Sequence, residues 1–167
     1  MGDWVVGLSP KAKGNRVVYA MKIDEILFFD DYYQDERFAS KIPDFETGEI
    51  VCKCGDNIYE PLSNGDFRQL RSMHSKNKGP EENSETKKRD LGGEYVLISW
   101  NFHYFGSRGP VLPDDLSELK VGRAYKNTFS PEVISRFLQF IATQSAGISG
   151  PPTKWPSNDQ SWRPGQI

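Results

Sequence analysis

Alternating apolar and polar positions mark two runs near the start of the chain. Residues 3–8 and 16–23 are rich in the β-branched and aromatic side chains that favour strands, and a turn containing Gly14 and Asn15 separates them. One face of the second run is strongly apolar, being formed by Val17, Tyr19, Met21 and Ile23. The pattern predicts a β-hairpin at the beginning of the fold.

The next segments show weaker periodicity. Residues 24–38 mix aromatic and acidic side chains, which is compatible with a short irregular helix that Asp24 could cap. Turn-forming residues divide residues 44–66 into two or three short strands. Residues 94–100 form an apolar run and predict the clearest central strand of the chain.

A helix signal follows near the end of the chain. Ser130, Pro131 and Glu132 provide an N-cap hydroxyl, a proline in the first turn and an acid beside the positive end of the helix dipole. Apolar side chains then recur at helical spacing, at Ile134, Phe137, Leu138 and Ile141. These signals predict an amphipathic helix that ends before Gly147.

Composition suggests how the chain is divided. Residues 75–93 are almost wholly polar and cannot bury enough apolar area to offset their ordering entropy, which predicts a mobile surface loop. Residues 148–167 form a tail with prolines, glycines and two tryptophans but no periodicity. We therefore expect one domain over 1–147 followed by this tail. Strands dominate its first hundred residues and one good helix closes it, which predicts an α+β fold.

The overall composition limits the functional classes without choosing among them. The chain has 167 residues and a net charge of −2, so its total charge neither favours nor excludes a polyanionic partner. It contains no apolar run long enough to cross a membrane and no signal-peptide pattern. Cys52 and Cys54 are the only cysteines and are poorly spaced for a disulfide, which favours a reducing cytoplasm.

Several short motifs occur in an order that resembles a known family. They are Gly2-Asp3-Trp4, Val18-Tyr19-Ala20-Met21, Asp35-Glu36-Arg37-Phe38, Gly55-Asp56-Asn57-Ile58-Tyr59, Val96-Leu97-Ile98-Ser99, Tyr104-Phe105-Gly106 and Gly122-Arg123. The set resembles the second family of nucleotide modification associated domains of bacteria and phages, over about residues 2–140. The resemblance implies an association with systems that modify or handle unusual nucleic-acid bases.

The opening hairpin also resembles that of PUA-like barrels, which include proteins that read modified nucleotides in a base pocket. This likeness implies a small twisted sheet or a partly closed PUA-like β-barrel with flanking helices. The family resemblance implies a segment before the Gly-Asp-Trp strand that this sequence lacks, and whether an N-terminal strand is missing stays open at this point.

The best polar candidate for a binding site is the segment Gly55 to Tyr59. Asp56 and Asn57 offer acceptors and donors suited to the edge of a base, and Tyr59 offers a stacking face. A turn in which these side chains bond to nearby backbone, with Tyr59 in the core, explains the same residues. Both interpretations remain open at this point.

Aromatic side chains supply a second set of candidates. A flipped or single-stranded base could be held by the rings of Trp4, Trp100, Phe102, Tyr104 and Phe105, with the Ser99 hydroxyl as a polar contact. Large rings in strands belong to the core more often than to a binding site. Arg123 lies outside any run of charges and could bind a phosphate or pair with an acid.

Basic residues and metal ligands give weaker signals. Ten basic side chains could line a phosphate-binding surface: Lys11, Lys13, Arg16, Arg68, Arg71, Lys76, Lys78, Lys87, Lys88 and Arg89. Glu81, Glu82 and Glu85 interrupt this basic series. The four soft ligands Cys52, Cys54, His74 and His103 could in principle hold zinc. Because Cys-x-Cys is not the usual spacing of a zinc knuckle, we expect no metal and no cofactor.

The sequence therefore favours a nucleic-acid- or nucleotide-binding domain associated with DNA modification, recognising a base in an aromatic-lined cleft. One alternative is an enzyme acting on nucleotides or modified bases, with His74 or His103 as general base and Asp56 or Asp35 as its orienting partner. Known catalytic motifs are missing from the chain, which favours binding over catalysis. A further alternative is a structural module that binds partner proteins of a DNA-modification system through its tryptophan-containing tail.

Overall fold

A computed structural model describes residues 1–122, 125–153, 155 and 162–164. The described chain divides into two compact units. Unit 1 comprises residues 1–24 and 99–166, and unit 2 comprises residues 25–98. The chain therefore leaves unit 1 after the opening hairpin and returns to it at Ser99.

Unit 1 is built on a four-stranded sheet. Its strands are β1 (Trp4–Leu8), β2 (Val17–Lys22), β7 (Asn101–Tyr104) and β8 (Gly147–Ile148), in the order β1-β2-β7-β8. The first two pairings are antiparallel and the β7–β8 pairing is parallel. The predicted hairpin is confirmed, and β8 lies at the position where the tail was expected to begin.

The predicted helix is also confirmed in unit 1. Helix α3 (Pro131–Ala142) begins after Ser130, whose hydroxyl accepts a hydrogen bond from the Val133 backbone N–H at 3.4 Å. The helix buries one face in the core of this unit, together with strand and loop residues. That core consists of Val17, Ala20, Phe105, Leu112, Leu116, Val133, Phe137 and Ile141.

Unit 2 contains two small antiparallel sheets and two short helices. Strands β3 (Glu25–Phe28) and β6 (Tyr95–Ile98) form one sheet, and β4 (Tyr59–Pro61) and β5 (Phe67–Gln69) form the other. The helices are α1 (Phe29–Gln34) and α2 (Ser84–Asp90). A core of Tyr32, Phe38 and Ile98 lies under β3 and β6, with Leu27 and Val96 packed against it.

Short 3₁₀ helices occupy many of the connections. They are Lys11–Lys13, Glu36–Lys41, Val51–Cys54, Lys76–Lys78, Gly106–Arg108 and Asp114–Leu119. Helices and several small sheets thus make up an α+β fold, as predicted. No sheet closes into a barrel within the described residues, so the PUA-like barrel implied by the second likeness is not confirmed.

Three local predictions differ from the structure. The segment 24–38 contains strand β3 before helix α1, because backbone pairing with β6 takes up its apolar start. The run 94–100 supplies a strand of a two-stranded sheet rather than a central strand. The polar segment 75–93 contains helix α2, because Asn83 caps it by accepting a hydrogen bond from the Thr86 N–H at 3.1 Å.

The described part of the tail belongs to unit 1 and contacts its 3₁₀ helix Gly106–Arg108 at two positions. The Ser107 N–H donates to the Pro151 carbonyl at 2.9 Å, and the Arg108 guanidinium lies 4.9 Å from the Trp162 ring centroid. Within the described residues, no helix is long and apolar enough to cross a membrane. The single domain over 1–147 with a separate tail stays a prediction.

Candidate functional site

A pocket of about 250 Å³ opens in unit 2. Its walls come from α1, from the loop before β4, from the end of α2 and from β6. The lining residues are Phe29, Tyr32, Asp56, Asn57, Ile58, Tyr59, His74, Asp90 and Val96. Four of the residues singled out in the sequence, Asp56, Asn57, Tyr59 and His74, therefore line the same pocket.

The loop that carries Asp56 is held by backbone contacts of its neighbours. The Asn57 backbone N–H donates to the Lys41 carbonyl at 3.0 Å, and its side-chain amide donates to the carbonyls of Tyr32 and Phe38 at 3.4 and 3.3 Å. A Cβ on Gly55 would lie 2.1 Å from the same Lys41 oxygen, so only glycine permits this approach. Asn57 thus anchors the loop by bonding to backbone 25 and 19 positions earlier in the chain, rather than to the local backbone that the turn interpretation expected.

Two carboxylates face the pocket and each accepts a hydrogen bond from a buried tyrosine. Tyr32 donates to Asp56 at 2.9 Å, and Tyr59 donates to Asp90 at 2.8 Å. Burial raises the pKa of Tyr32, and the neighbouring Asp56 charge raises it further. Burial together with the hydrogen bond to Asp90 raises the pKa of Tyr59 to about 12. Both phenols are therefore neutral donors at physiological pH.

The two carboxylates differ in the capacity left for a ligand. Asp90 also accepts hydrogen bonds from the Arg89 side chain at 3.1 Å, so both of its oxygens are engaged. Asp56 accepts the Tyr32 hydroxyl on Oδ1, and within the described residues its Oδ2 has no hydrogen-bond partner. Asp56 is also exposed, whereas Asp90 is only partly exposed. Asp56 is thus the carboxylate with an oxygen available to an incoming group.

A polar network behind the pocket positions Tyr59 and α2. The Gln69 side chain is 2% exposed; its amide donates to the Tyr59 hydroxyl at 3.3 Å and its carbonyl accepts the Asn83 N–H at 2.7 Å. The Glu82 carboxylate accepts the Gln69 backbone N–H at 2.8 Å. These bonds tie the start of α2 to β5, and α2 in turn places Asp90 at its last residue.

Aromatic rings provide the apolar wall of the pocket. Phe29 meets Tyr59 edge to face, with ring centroids 5.9 Å apart and planes at 83°. Tyr32 packs on Phe38 with centroids 4.5 Å apart. The pocket therefore combines ring surfaces with a few polar acceptors, which is the usual make-up of a small-molecule site.

The two histidines have different surroundings. His74 is exposed at the pocket, where its backbone N–H donates to the Ser72 hydroxyl at 3.1 Å. His103 belongs to unit 1 and is 6% exposed, with Nδ1 lying 3.0 Å from the Ser145 carbonyl oxygen. The rings of Trp4 and Phe105 stack on it with centroid distances of 6.5 and 6.0 Å. His103 thus has the contacts of a satisfied core histidine, and His74 is the accessible one.

The remaining candidates belong to unit 1 or lie outside the description. Phe105 is part of the core of unit 1, and Tyr104 pairs through its backbone with β8. The Ser99 hydroxyl donates to the Asn101 carbonyl at 2.9 Å, so its polar group is already satisfied. Arg123 lies outside the described residues. No cluster of three or more metal-ligating side chains occurs in the part of the chain that the structure describes.

The sequence patterns did not point to four of the lining residues, namely Phe29, Tyr32, Asp90 and Val96, whereas Ile58 lies inside the candidate segment Gly55 to Tyr59. Asp90 is the most informative of them, because it was placed in a polar loop. The signal of a helix was present, with Asn83 as N-cap and three basic residues in its last turn. That signal predicts the helix, but it does not predict the contact of Asp90 with Tyr59.

Comparison with known proteins now adds context to this geometry. The family model described as nucleotide modification associated domain 2 matches residues 1–159. The chain belongs to this family. The resemblance inferred from the ordered motifs is therefore confirmed, over a longer range than 2–140. Neither the curated proteins nor the solved structures contain a match to this nucleotide modification associated domain.

Proposed function

We propose that this nucleotide modification associated domain binds a nucleobase in the pocket of unit 2. The observation that carries the proposal is the combination, in one pocket, of the Phe29 and Tyr59 rings with the free oxygen of Asp56. Proteins that recognise an extruded base combine stacking surfaces with groups that hydrogen-bond to the Watson–Crick edge of that base. Membership of the family gives the nucleotide context.

The size of the pocket fits this class of ligand. Pockets for drug-sized molecules usually measure about 300–1,000 Å³, and this one measures about 250 Å³. A single base therefore suits it better than an entire nucleotide. The sugar and any phosphate would stay outside, away from the negative charges of Asp56 and Asp90. The base can come from a nucleotide or from a strand of nucleic acid.

Titration with a panel of ligands tests the proposal. Amide chemical shifts of the ¹⁵N-labelled protein are followed at low salt with normal and base-modified nucleosides, single-stranded DNA and double-stranded DNA. We expect saturable shifts centred on residues 55–59 and on α2. Phe29→Ala should weaken binding, because base–ring stacking contributes about 1–3 kcal/mol. A panel that produces no saturable shift refutes the proposal.

An exposed ring on the β3–β6 sheet, on the face that points away from the pocket, provides a matched control. Phe28 precedes Phe29 in the chain, and its side chain is 51% exposed on β3. Phe28→Ala removes the same ring without touching the pocket lining. It should leave nucleobase affinity unchanged, and an equal loss in both variants would contradict stacking in this pocket.

A second candidate function is catalysis on nucleotides or modified bases. It is favoured by one observation, which is that exposed His74 lines the same pocket as Asp56. Mass spectrometry of nucleotides and oligonucleotides incubated with the protein would detect a product. His74→Gln should abolish product formation if this histidine is the base; equal turnover by that variant excludes the role.

Other parts of the sequence-based interpretation stay predictions. They are contacts of Trp4, Ser99, Tyr104, Phe105 and Arg123 with a ligand, partner proteins of a DNA-modification system, and a cytoplasmic location. The same titration addresses the first of these, because each of these residues reports its own amide shift.

A further inference from the structure

We propose that the base recognised in this pocket is guanine, read by the carboxylate of Asp56. The inference rests on the proposed nucleobase binding and adds the chemical identity of the base. It comes from which hydrogen-bonding groups of the pocket remain available after its internal bonds are made.

Apart from the exposed imidazole of His74, the polar side chains of the pocket offer acceptors rather than donors to a ligand. The hydroxyl protons of Tyr32 and Tyr59 are already directed to Asp56 and Asp90. The side-chain amide of Asn57 donates to two backbone carbonyls. Asp90 accepts the Tyr59 hydroxyl on Oδ2 and contacts both Nε and Nη2 of Arg89 through Oδ1. At most one of its about four lone-pair positions is therefore left, whereas the described residues occupy only one at Asp56. Among these groups, Asp56 keeps an oxygen for a donor from outside.

A carboxylate is an acceptor-only group with two oxygens and about four lone-pair positions. Oδ1 of Asp56 can therefore accept a second hydrogen bond beside that of Tyr32, while Oδ2 accepts another. The base edge that matches it carries two adjacent donors. Guanine has this arrangement in N1–H and the 2-amino group, whereas adenine, cytosine and thymine each carry a single donor group on the same edge.

Electrostatics supports the same choice. Hydrogen bonds to an ionised acceptor are roughly twice as strong as those between neutral groups. An acceptor of the base placed against the Asp56 carboxylate would instead be repelled. The pocket should thus reject thymine, whose single imino N–H lies between two carbonyls.

Isothermal titration with nucleosides tests the assignment. We expect guanosine to bind about 10-fold or more tightly than inosine, which lacks the 2-amino group, because a hydrogen bond to a charged partner is lost. Guanosine should exceed adenosine, cytidine and thymidine by about 5- to 150-fold, the range of one bidentate pair.

Asp56→Asn provides the decisive variant, because it changes one acceptor into a donor without changing shape. The amide oxygen can keep the Tyr32 hydrogen bond and accept N1–H, while the amide nitrogen now donates. Xanthosine carries a carbonyl in place of the 2-amino group and matches this pattern. The variant should therefore prefer xanthosine over guanosine, and a loss of structure alone would not produce such an inversion.

Two further variants act as controls. Asp90→Asn removes a carboxylate whose oxygens are engaged inside the protein, so it should not create a preference for xanthosine. Asp3→Asn removes a charge from a side chain in unit 1 that is 92% exposed, and it should leave all affinities unchanged. Circular dichroism of each variant establishes that the fold is retained.

Two titrations distinguish the source of the guanine. One uses guanosine 5′-monophosphate, and the other uses a single-stranded oligodeoxynucleotide with one dG in a run of dT. Preference for guanine in either form supports the assignment. Equal binding of all nucleosides, or unchanged guanosine affinity in Asp56→Asn, overturns it and leaves the nucleobase pocket standing. Absence of binding by every nucleoside and oligonucleotide overturns both proposals.

Discussion

Replacing Gly55 with alanine tests how the loop of the candidate site is built. Gly55 has φ −57° and ψ 150°, which alanine also adopts, so backbone strain is not the issue. The added Cβ would stand 2.1 Å from the Lys41 carbonyl oxygen and 2.7 Å from its carbon. Because these are backbone atoms, the clash cannot be relieved by a rotamer change.

The magnitude follows from three contributions. Overpacking of this kind costs about 1–3 kcal/mol. Displacing the loop also weakens the hydrogen bond of 3.0 Å from the Asn57 N–H to the same Lys41 oxygen, a loss of about 1 kcal/mol. Alanine also restricts the conformational freedom of the unfolded chain, which stabilises the folded state by about 0.4–1 kcal/mol. We expect the free energy of unfolding of Gly55→Ala to fall by about 1–3.5 kcal/mol.

Hydrogen exchange read by mass spectrometry is the suitable assay, because the four tryptophans of the chain all lie outside residues 25–98 and do not report on unit 2. Peptides from residues 38–60 should lose protection, and nucleobase affinity should fall with them. Gly93→Ala is the matched control in the same unit, since its Cβ would meet nothing within 4 Å. It should be neutral or slightly stabilising. Equal protection in Gly55→Ala and the wild type would refute the close approach.

Three other predictions concern stability. Ser130→Ala should destabilise α3 by about 1 kcal/mol through the lost N-cap, whereas Ser135→Ala on its exposed face should change stability by less than about 0.5 kcal/mol in urea unfolding. Ile141 is 2% exposed and Ile134 is 46% exposed, so Ile141→Ala should cost about 2–5 kcal/mol and Ile134→Ala much less; equal effects in thermal unfolding would contradict the packing of α3. Folding raises the pKa of Tyr59 from 10.0 to about 12. The contribution of the neutral Tyr59 phenol to the stability of the folded state is therefore fully present below about pH 10 and is lost as the pH rises through about 12. Ultraviolet titration should show one phenol fewer ionising near pH 12 in Tyr59→Phe, while the phenol of Tyr32, whose pKa is also raised, remains in both proteins. An unchanged number of phenols ionising near pH 12 would contradict the assignment.

The parts of the fold that were predicted correctly depend on local signals. The opening hairpin follows from alternation in two short runs, and α3 follows from a cap, a proline and apolar residues at helical spacing. The prediction of a helix at residues 25–28 was wrong because β3 carries apolar side chains on both faces, with Ile26 and Phe28 exposed and Leu27 packed inward. Without alternation between apolar and polar residues, the period of a strand is not visible.

The candidate site shows the same division. Asp56, Asn57 and Tyr59 were recognisable as a Gly-Asp-Asn turn before an aromatic residue, and His74 as one of two histidines. Asp90 was not recognisable, because its hydrogen bond to Tyr59 joins residues 31 positions apart. That contact depends on the cap of α2 and on the Gln69 network, which no local pattern encodes.

By itself, the sequence determined the family, the α+β class, the hairpin and the closing helix, because capping, periodicity and motif order act over a few neighbouring residues. Only the tertiary structure decided that the chain forms two compact units and that Asp56 keeps a free oxygen while Asp90 does not. It also decided which histidine is accessible and which lies between two rings. These properties depend on long-range packing and on competition among hydrogen-bonding groups, so they are set only when segments distant in sequence pack together in the folded protein.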